Sequence, residues 1–182
     1  MKDSISESIQ RLIIILLLLS PYLLAQETEQ ESNFSIGIGN SLYNNIKTNQ
    51  LIIFYKLNEL SPNIGDFNIN SDANFELISI NSSRIMVVGF VPMLRYNLHI
   101  RNVNLFFSGG IGFNFLNNHN IGTRNLGGHF IFSDMISAGI KILDSDFMSI
   151  EMSYLIRHIS NAGIFDSNEG FNSQYLVFTL AI

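Results

Sequence analysis

Apolar and polar residues alternate along most of this chain, and a period of two marks strands whose two faces meet different surroundings. Phe34, Ile36 and Ile38 alternate with Ser35, Gly37 and Gly39, and Leu51, Ile53, Tyr55 and Leu57 repeat the pattern. Phe75 to Ile80 forms a weaker third segment. Phe90, Pro92, Leu94, Tyr96, Leu98 and Ile100 oppose Met93, Arg95, Asn97 and His99. The Arg101-Asn102 link then returns the chain into Leu105, Phe107, Ile111, Phe113 and Phe115, which oppose Ser108, Gly110, Gly112 and Asn114. A sixth strand is predicted from Phe130 to Ile142. Asp134 sits among its apolar row as a misfit that a bulge or a place near a rim would explain. Met148 to Ser160 and Asn172 to Ile182 complete a predicted set of eight strands.

A soluble sheet would bury the apolar rows, but the N-terminus points to export. Lys2 and Arg11 precede the apolar run Leu12 to Leu19, and Pro21 leads to Leu23-Leu24-Ala25 before the polar stretch Gln26 to Ser32. This predicts a signal peptide over residues 1–25, cleaved after Ala25, although Asp3 and Glu7 dilute its positive start and Leu23 is large for its place. The apolar stretch ending at Ala25 is shorter than the ~20 residues of a spanning helix. Residues 26–182 accommodate an eight-stranded antiparallel transmembrane β-barrel, which needs roughly 80 embedded residues. Lipid would then wet the apolar row, and small polar side chains would fill a narrow lumen without a conducting pore. Residues 117–128 and 162–171 become external loops and Asp144-Ser145-Asp146 a periplasmic turn. Residues 59–73 are long for a periplasmic connection unless the third strand starts near Phe67. The chain ends on Ile182 where bacterial barrels commonly carry an aromatic residue.

Composition narrows the chemistry. Charged residues make up 14% of the chain and the net charge is −5. No Lys/Arg cluster interleaves with aromatics, so nucleic acid is not an expected partner. With no cysteine, disulfides, thiolate catalysis and a lipoprotein anchor are excluded. His99, His119, His129 and His158 lack metal-ligand spacing, so no metal site is expected. Gly109-Gly110-Ile111-Gly112 reads as a strand with small inward residues, since no helix-like segment follows it.

The seventh strand carries the most chemistry. His158 and Ser160 extend the row Met148, Ile150, Met152, Tyr154 and Ile156, while Ser149, Glu151, Ser153, Arg157 and Asn161 form the other. Glu151 and Arg157 therefore belong to a polar interior. His158 and Ser160 face lipid near the outer leaflet, a base and a hydroxyl two residues apart, with Cα atoms ~7 Å from each other. The turn Asn161-Ala162-Gly163 can supply donors to an oxyanion through Asn161 and Gly163. On spacing alone an H-x-S pair carries little information, and solvation of a strand end accounts for it equally.

The run Arg157-His158-Ile159-Ser160-Asn161-Ala162-Gly163, followed by Asn168, Gly170, Asn172 and Ser173, resembles the end of the PagL-type lipid A 3-O-deacylases, an acyloxyacyl-hydrolase-like family. Weaker similarity extends upstream through Gly89-Phe90-Val91-Pro92, Gly109 to Phe115 and Phe130 to Ile142. The resemblance implies an eight-stranded barrel in the bacterial outer membrane acting on lipid A or lipopolysaccharide without a cofactor. It implies His158 as general base, Ser160 as nucleophile and Asn161 at the oxyanion site. The glutamate expected as third catalytic residue falls on Asn172, which can hold the imidazole tautomer but adds no charge. Glu169 is a candidate substitute, although its strand parity differs. Two other readings stay open: a non-catalytic barrel with a binding or structural role, and an outer-membrane phospholipase. The sequence also leaves room for a homodimer.

Overall fold

Alternating segments become strands wherever one face meets lipid and the other a filled interior. A computed structural model describes residues 33–60, 66–81 and 83–182; the predicted signal peptide lies outside them. Ten strands follow in order: β1 (Asn33–Ser41), β2 (Asn49–Leu60), β3 (Phe67–Ile80), β4 (Ser83–Ile100), β5 (Val103–Leu116), β6 (Asn120–Ile121), β7 (Arg124–Asn125), β8 (Phe130–Asp144), β9 (Ser149–Ser160) and β10 (Phe171–Ala181). Eight of these close into one barrel in the order β1-β10-β9-β8-β5-β4-β3-β2. Every pairing in it is antiparallel. The remaining two, β6 and β7, form a small hairpin within the connection from β5 to β8. Closure leaves no unpaired edge for lipid to meet.

The outer wall keeps the expected rows. Ile36, Tyr55, Phe107, Ile136, Tyr154 and Phe178 are all exposed. Their strand neighbours Gly37, Phe54, Phe106, Met135, Leu155 and Val177 turn inward, and all but Gly37 are buried hydrophobics of the interior. β1 and β10 begin and end at the barrel end carrying the short Arg101-Asn102 and Asp144–Met148 connections. The opposite end carries the longer loops, so it is the external one in an outer-membrane barrel.

Two strands are longer than their patterns predict. β3 starts at Phe67, which shortens the connection that follows β2. Its inward residues Asn68, Asn70, Asp72, Asn74 and Glu76 are polar, but Ser71 and Ala73 weaken the apolar contrast on its outer row. β4 starts at Ser83, ahead of Phe90, because Ile85 and Val87 face a buried cluster while Met86 and Val88 face outward. A strand with apolar surroundings on both sides reads as a continuous run instead of an alternation.

The interior also corrects the expectation of a polar lumen. Ile78, Ile85, Val87, Leu116, Ile131, Ile159 and Phe171 form an apolar plug at the external end, joined by Ile46, Ile121 and Leu126 from the external loops. Beneath it, Arg157 bonds the Glu76 carboxylate and Asn114 Oδ1 at 2.8 Å. Tyr175 donates to Glu76 as well. Toward the periplasm Arg95 grips Glu151 through two bonds of 2.8 and 2.7 Å. Glu151 and Arg157 thus both face inward, but each pairs with a residue from another strand.

Candidate active site

The ladder brings the rim residues together. β9 lies between β10 and β8, and its register sets His158 opposite Asn172 on one side and Asp134 on the other. All three belong to outward rows. His158 Nδ1 lies 2.5 Å from Asn172 Oδ1, while Asn172 Nδ2 donates to the Tyr43 hydroxyl at 3.0 Å. That second bond orients the amide with its oxygen toward the ring. An amide oxygen only accepts, so Nδ1 carries the proton and Nε2 presents its lone pair.

Tyr43 is itself anchored. Its ring packs 5.9 Å from Phe171, and the Arg124 guanidinium lies 3.9 Å above it. Gly170 makes room for the imidazole: it has φ +60°, and a Cβ there would stand 2.7 Å from His158 Cε1. Ile159 and Phe171 flank the pair His158–Asn172 and are buried in the plug, so the rim rests on a packed base.

Ser160 follows on the same row, half-buried, opposite Phe132. Its Oγ faces the Ala162 amide at 3.4 Å. Ala162 and Gly163 both adopt positive φ, 53° and 78°, which bends the chain sharply over the serine. Asn161 turns inward and is fully buried. Its Nδ2 donates to Leu126 O at 2.7 Å and Ser167 O at 2.6 Å, and its Oδ1 accepts from Gly163 N at 2.8 Å. The Asn161 amide donates to Asn168 Oδ1 at 3.0 Å. The side chain of Asn161 therefore clasps the turn from below, and the backbone donor directed at the serine belongs to Ala162.

Glu169 is engaged elsewhere. Its carboxylate accepts from the Asn125 amide, its carbonyl accepts from Arg124 Nη1 at 2.5 Å, and its own amide donates to Asn125 O at 3.1 Å. It ties the β9–β10 loop to β7. The structure thus gathers His158, Ser160 and Asn172 on one lipid-facing patch, sets Asn161 and Gly163 in the turn that follows it, and places Glu169 in a loop clasp. Sequence reasoning gave no part to Tyr43 or Arg124, which reach the patch from distant loops and leave no local signal. Asp134 did leave one, as a lone acid on an apolar row. It lies in regular ladder, and the register shift in β8 falls at Lys141/Leu143 instead.

A closed barrel with an apolar outer wall and an imidazole–hydroxyl–amide cluster at its external rim defines an outer-membrane barrel with a polar patch turned toward lipid. The family described as "Lipid A 3-O-deacylase (PagL)" matches residues 61–181, and the chain belongs to that family. It is 28% identical over 95 residues to the lipid A deacylase PagL of Pseudomonas aeruginosa, covering 52% of this chain and 53% of that protein. The chain therefore spans about half the length of the curated relative it matches. The crystal structure of the outer membrane enzyme PagL superposes with a TM-score of 0.64 at 22% identity, covering 81% of this chain and 97% of that one. Neisserial surface protein A follows the same barrel with a TM-score of 0.53 at 11% identity, covering 84% and 94%. At these identities the structural likeness concerns the fold.

Proposed function

We propose that this protein is an outer-membrane serine esterase that removes an ester-linked acyl chain from lipid A, at the 3 position. The observation that carries the reading is the lipid-facing cluster itself: His158 with Nδ1 bonded to Asn172 and Nε2 free, beside Ser160 on the same outward row. Family membership supports the substrate class.

In this mechanism Nε2 of His158 takes the Ser160 proton as Oγ attacks the ester carbonyl. The oxyanion forms under the sharp turn, where the Ala162 amide is the nearest donor and Asn161 and Gly163 hold the turn's shape. The alkoxide leaves with the proton from His158, and the acyl chain stays on Oγ. Water, deprotonated by the same nitrogen, then releases the fatty acid and restores the serine. Asn172 fixes the ring tautomer throughout, as the amide of a Cys-His-Asn site does.

The test expresses the full chain in a lipopolysaccharide-making host and examines lipid A by mass spectrometry. Loss of one ester-linked chain with wild type, and none with Ser160→Ala, is the expected outcome. Unchanged lipid A with correctly inserted protein would instead favour a non-catalytic barrel, the reading that the neutral Asn172 supports. Release of fatty acid from glycerophospholipid but not from lipid A would reassign the substrate to a phospholipase.

A further inference from the structure

Asp134 is a charged group on the outer wall without a structural partner among the described residues. It is exposed in the middle of an apolar row, with Phe132 and Ile136 two positions away on either side. Ile111 is its register partner on β5 and His158 its partner on β9. Among the described residues no hydrogen bond or ion pair reaches its carboxylate. A carboxylate on the lipid face is disfavoured, least so near the interface. Nothing on its own strand offsets that penalty.

We propose that Asp134 is the positioning charge of the site: it stabilises the His158 imidazolium that forms when Ser160 is deprotonated, from the side opposite Asn172. The inference rests on the esterase reading above. Directly opposed residues in an antiparallel ladder have Cβ atoms ~4.5–5.5 Å apart, near enough for a strong charge interaction in poorly screened surroundings. Asn172 occupies Nδ1 and is neutral, so from β10 the ring receives orientation without charge. The other ionisable groups around it do not supply a carboxylate either. Tyr154 precedes it on β9, and its hydroxyl donates to Gln174. Tyr43 reaches the ring only through Asn172 and carries the Arg124 cation over its own ring. Asp166 is an exposed residue of the loop above, and Glu169 is bound to β7. Orientation and charge, which one carboxylate would provide together, are divided here between Asn172 on β10 and Asp134 on β8.

The division makes a reciprocal test possible. The full-length barrel is reconstituted with purified lipopolysaccharide, and fatty-acid release is measured for wild type, Asp134→Asn, Asp134→Glu, Asn172→Glu and the double variant Asp134→Asn/Asn172→Glu. Asp134→Asn is expected to lower kcat about 10- to 100-fold with KM nearly unchanged. Asp134→Glu should retain most of the rate. The double variant should recover it, because a carboxylate at 172 supplies the missing charge from the other strand. A wild-type rate in Asp134→Asn, a rise in KM alone, or no recovery in the double variant would overturn the proposal while leaving the esterase reading standing. A wild type that releases no fatty acid from any lipid ester would overturn both.

Discussion

Arg157 and His158 are neighbours in the chain and opposites in environment. Arg157 points into the barrel, is 1% exposed, and meets the Glu76 carboxylate, which also accepts from Tyr175, and the oxygen of the Asn114 amide, whose nitrogen donates to Ser133. His158 points out, is half-buried, and makes one hydrogen bond to a neutral amide. A buried charge must be surrounded by partners or it costs several kcal/mol, so the inward cluster is nearly saturated. A base that is to move a proton needs a nitrogen left unfilled, and the outward cluster leaves Nε2 open. One peptide bond separates a structural ion pair from the proposed general base.

The contrast can be broken most severely at the serine. Ser160→Ala is expected to lower acyl release by about 10⁴-fold or more, and His158→Ala by a similar factor, since members of one catalytic unit fail together. The folded barrel should persist in both, judged by its heat-modifiable migration on a gel. Arg157→Ala should do the reverse. It leaves Glu76 charged, buried and unpaired, and should cost about 3–5 kcal/mol of barrel stability in urea unfolding from lipid vesicles. The specific activity of the barrel that remains folded should be far less affected.

Two smaller changes sharpen the same distinction. In Gly170→Ala the new methyl would press on His158 Cε1 from a residue already at φ +60°, and release should fall about 100-fold through displacement of the ring. Tyr43→Phe removes only the acceptor that orients the Asn172 amide. A loss equivalent to about 0.5–1.5 kcal/mol, seen as a few-fold drop in kcat, is expected. A larger effect in Tyr43→Phe than in Gly170→Ala would mean that amide orientation, not ring placement, governs the site.

The barrel was legible in the sequence wherever its two faces differ. β1, β2, β5, β9 and β10 follow their alternation, and the outward place of His158 and Ser160 could be read from parity alone. Legibility fails where the faces become alike. In β4, Ile85 to Val88 meet lipid on one side and the plug on the other, so no period remains. In β3, Ser71 and Ala73 blur the outer row. The plug itself was hidden because Ile46, Ile121 and Leu126 come from loops, where no periodicity records burial. At the site, the pairing of His158 with Asn172 followed from family likeness, whereas the register of Asp134 against the same ring needed the ladder between β8 and β9. Tyr43 and Arg124 join the cluster only through folding.

Ile46, Ile121 and Leu126 close the outer mouth of the cylinder with hydrocarbon, above a middle layer already occupied by Arg157, Glu76 and Tyr175. A cell carrying many copies would therefore keep its permeability barrier: nutrients, dyes and antibiotics gain no route through this protein. The passage along its own axis is shut, and the proposed chemistry needs none, because its residues stand on the flank.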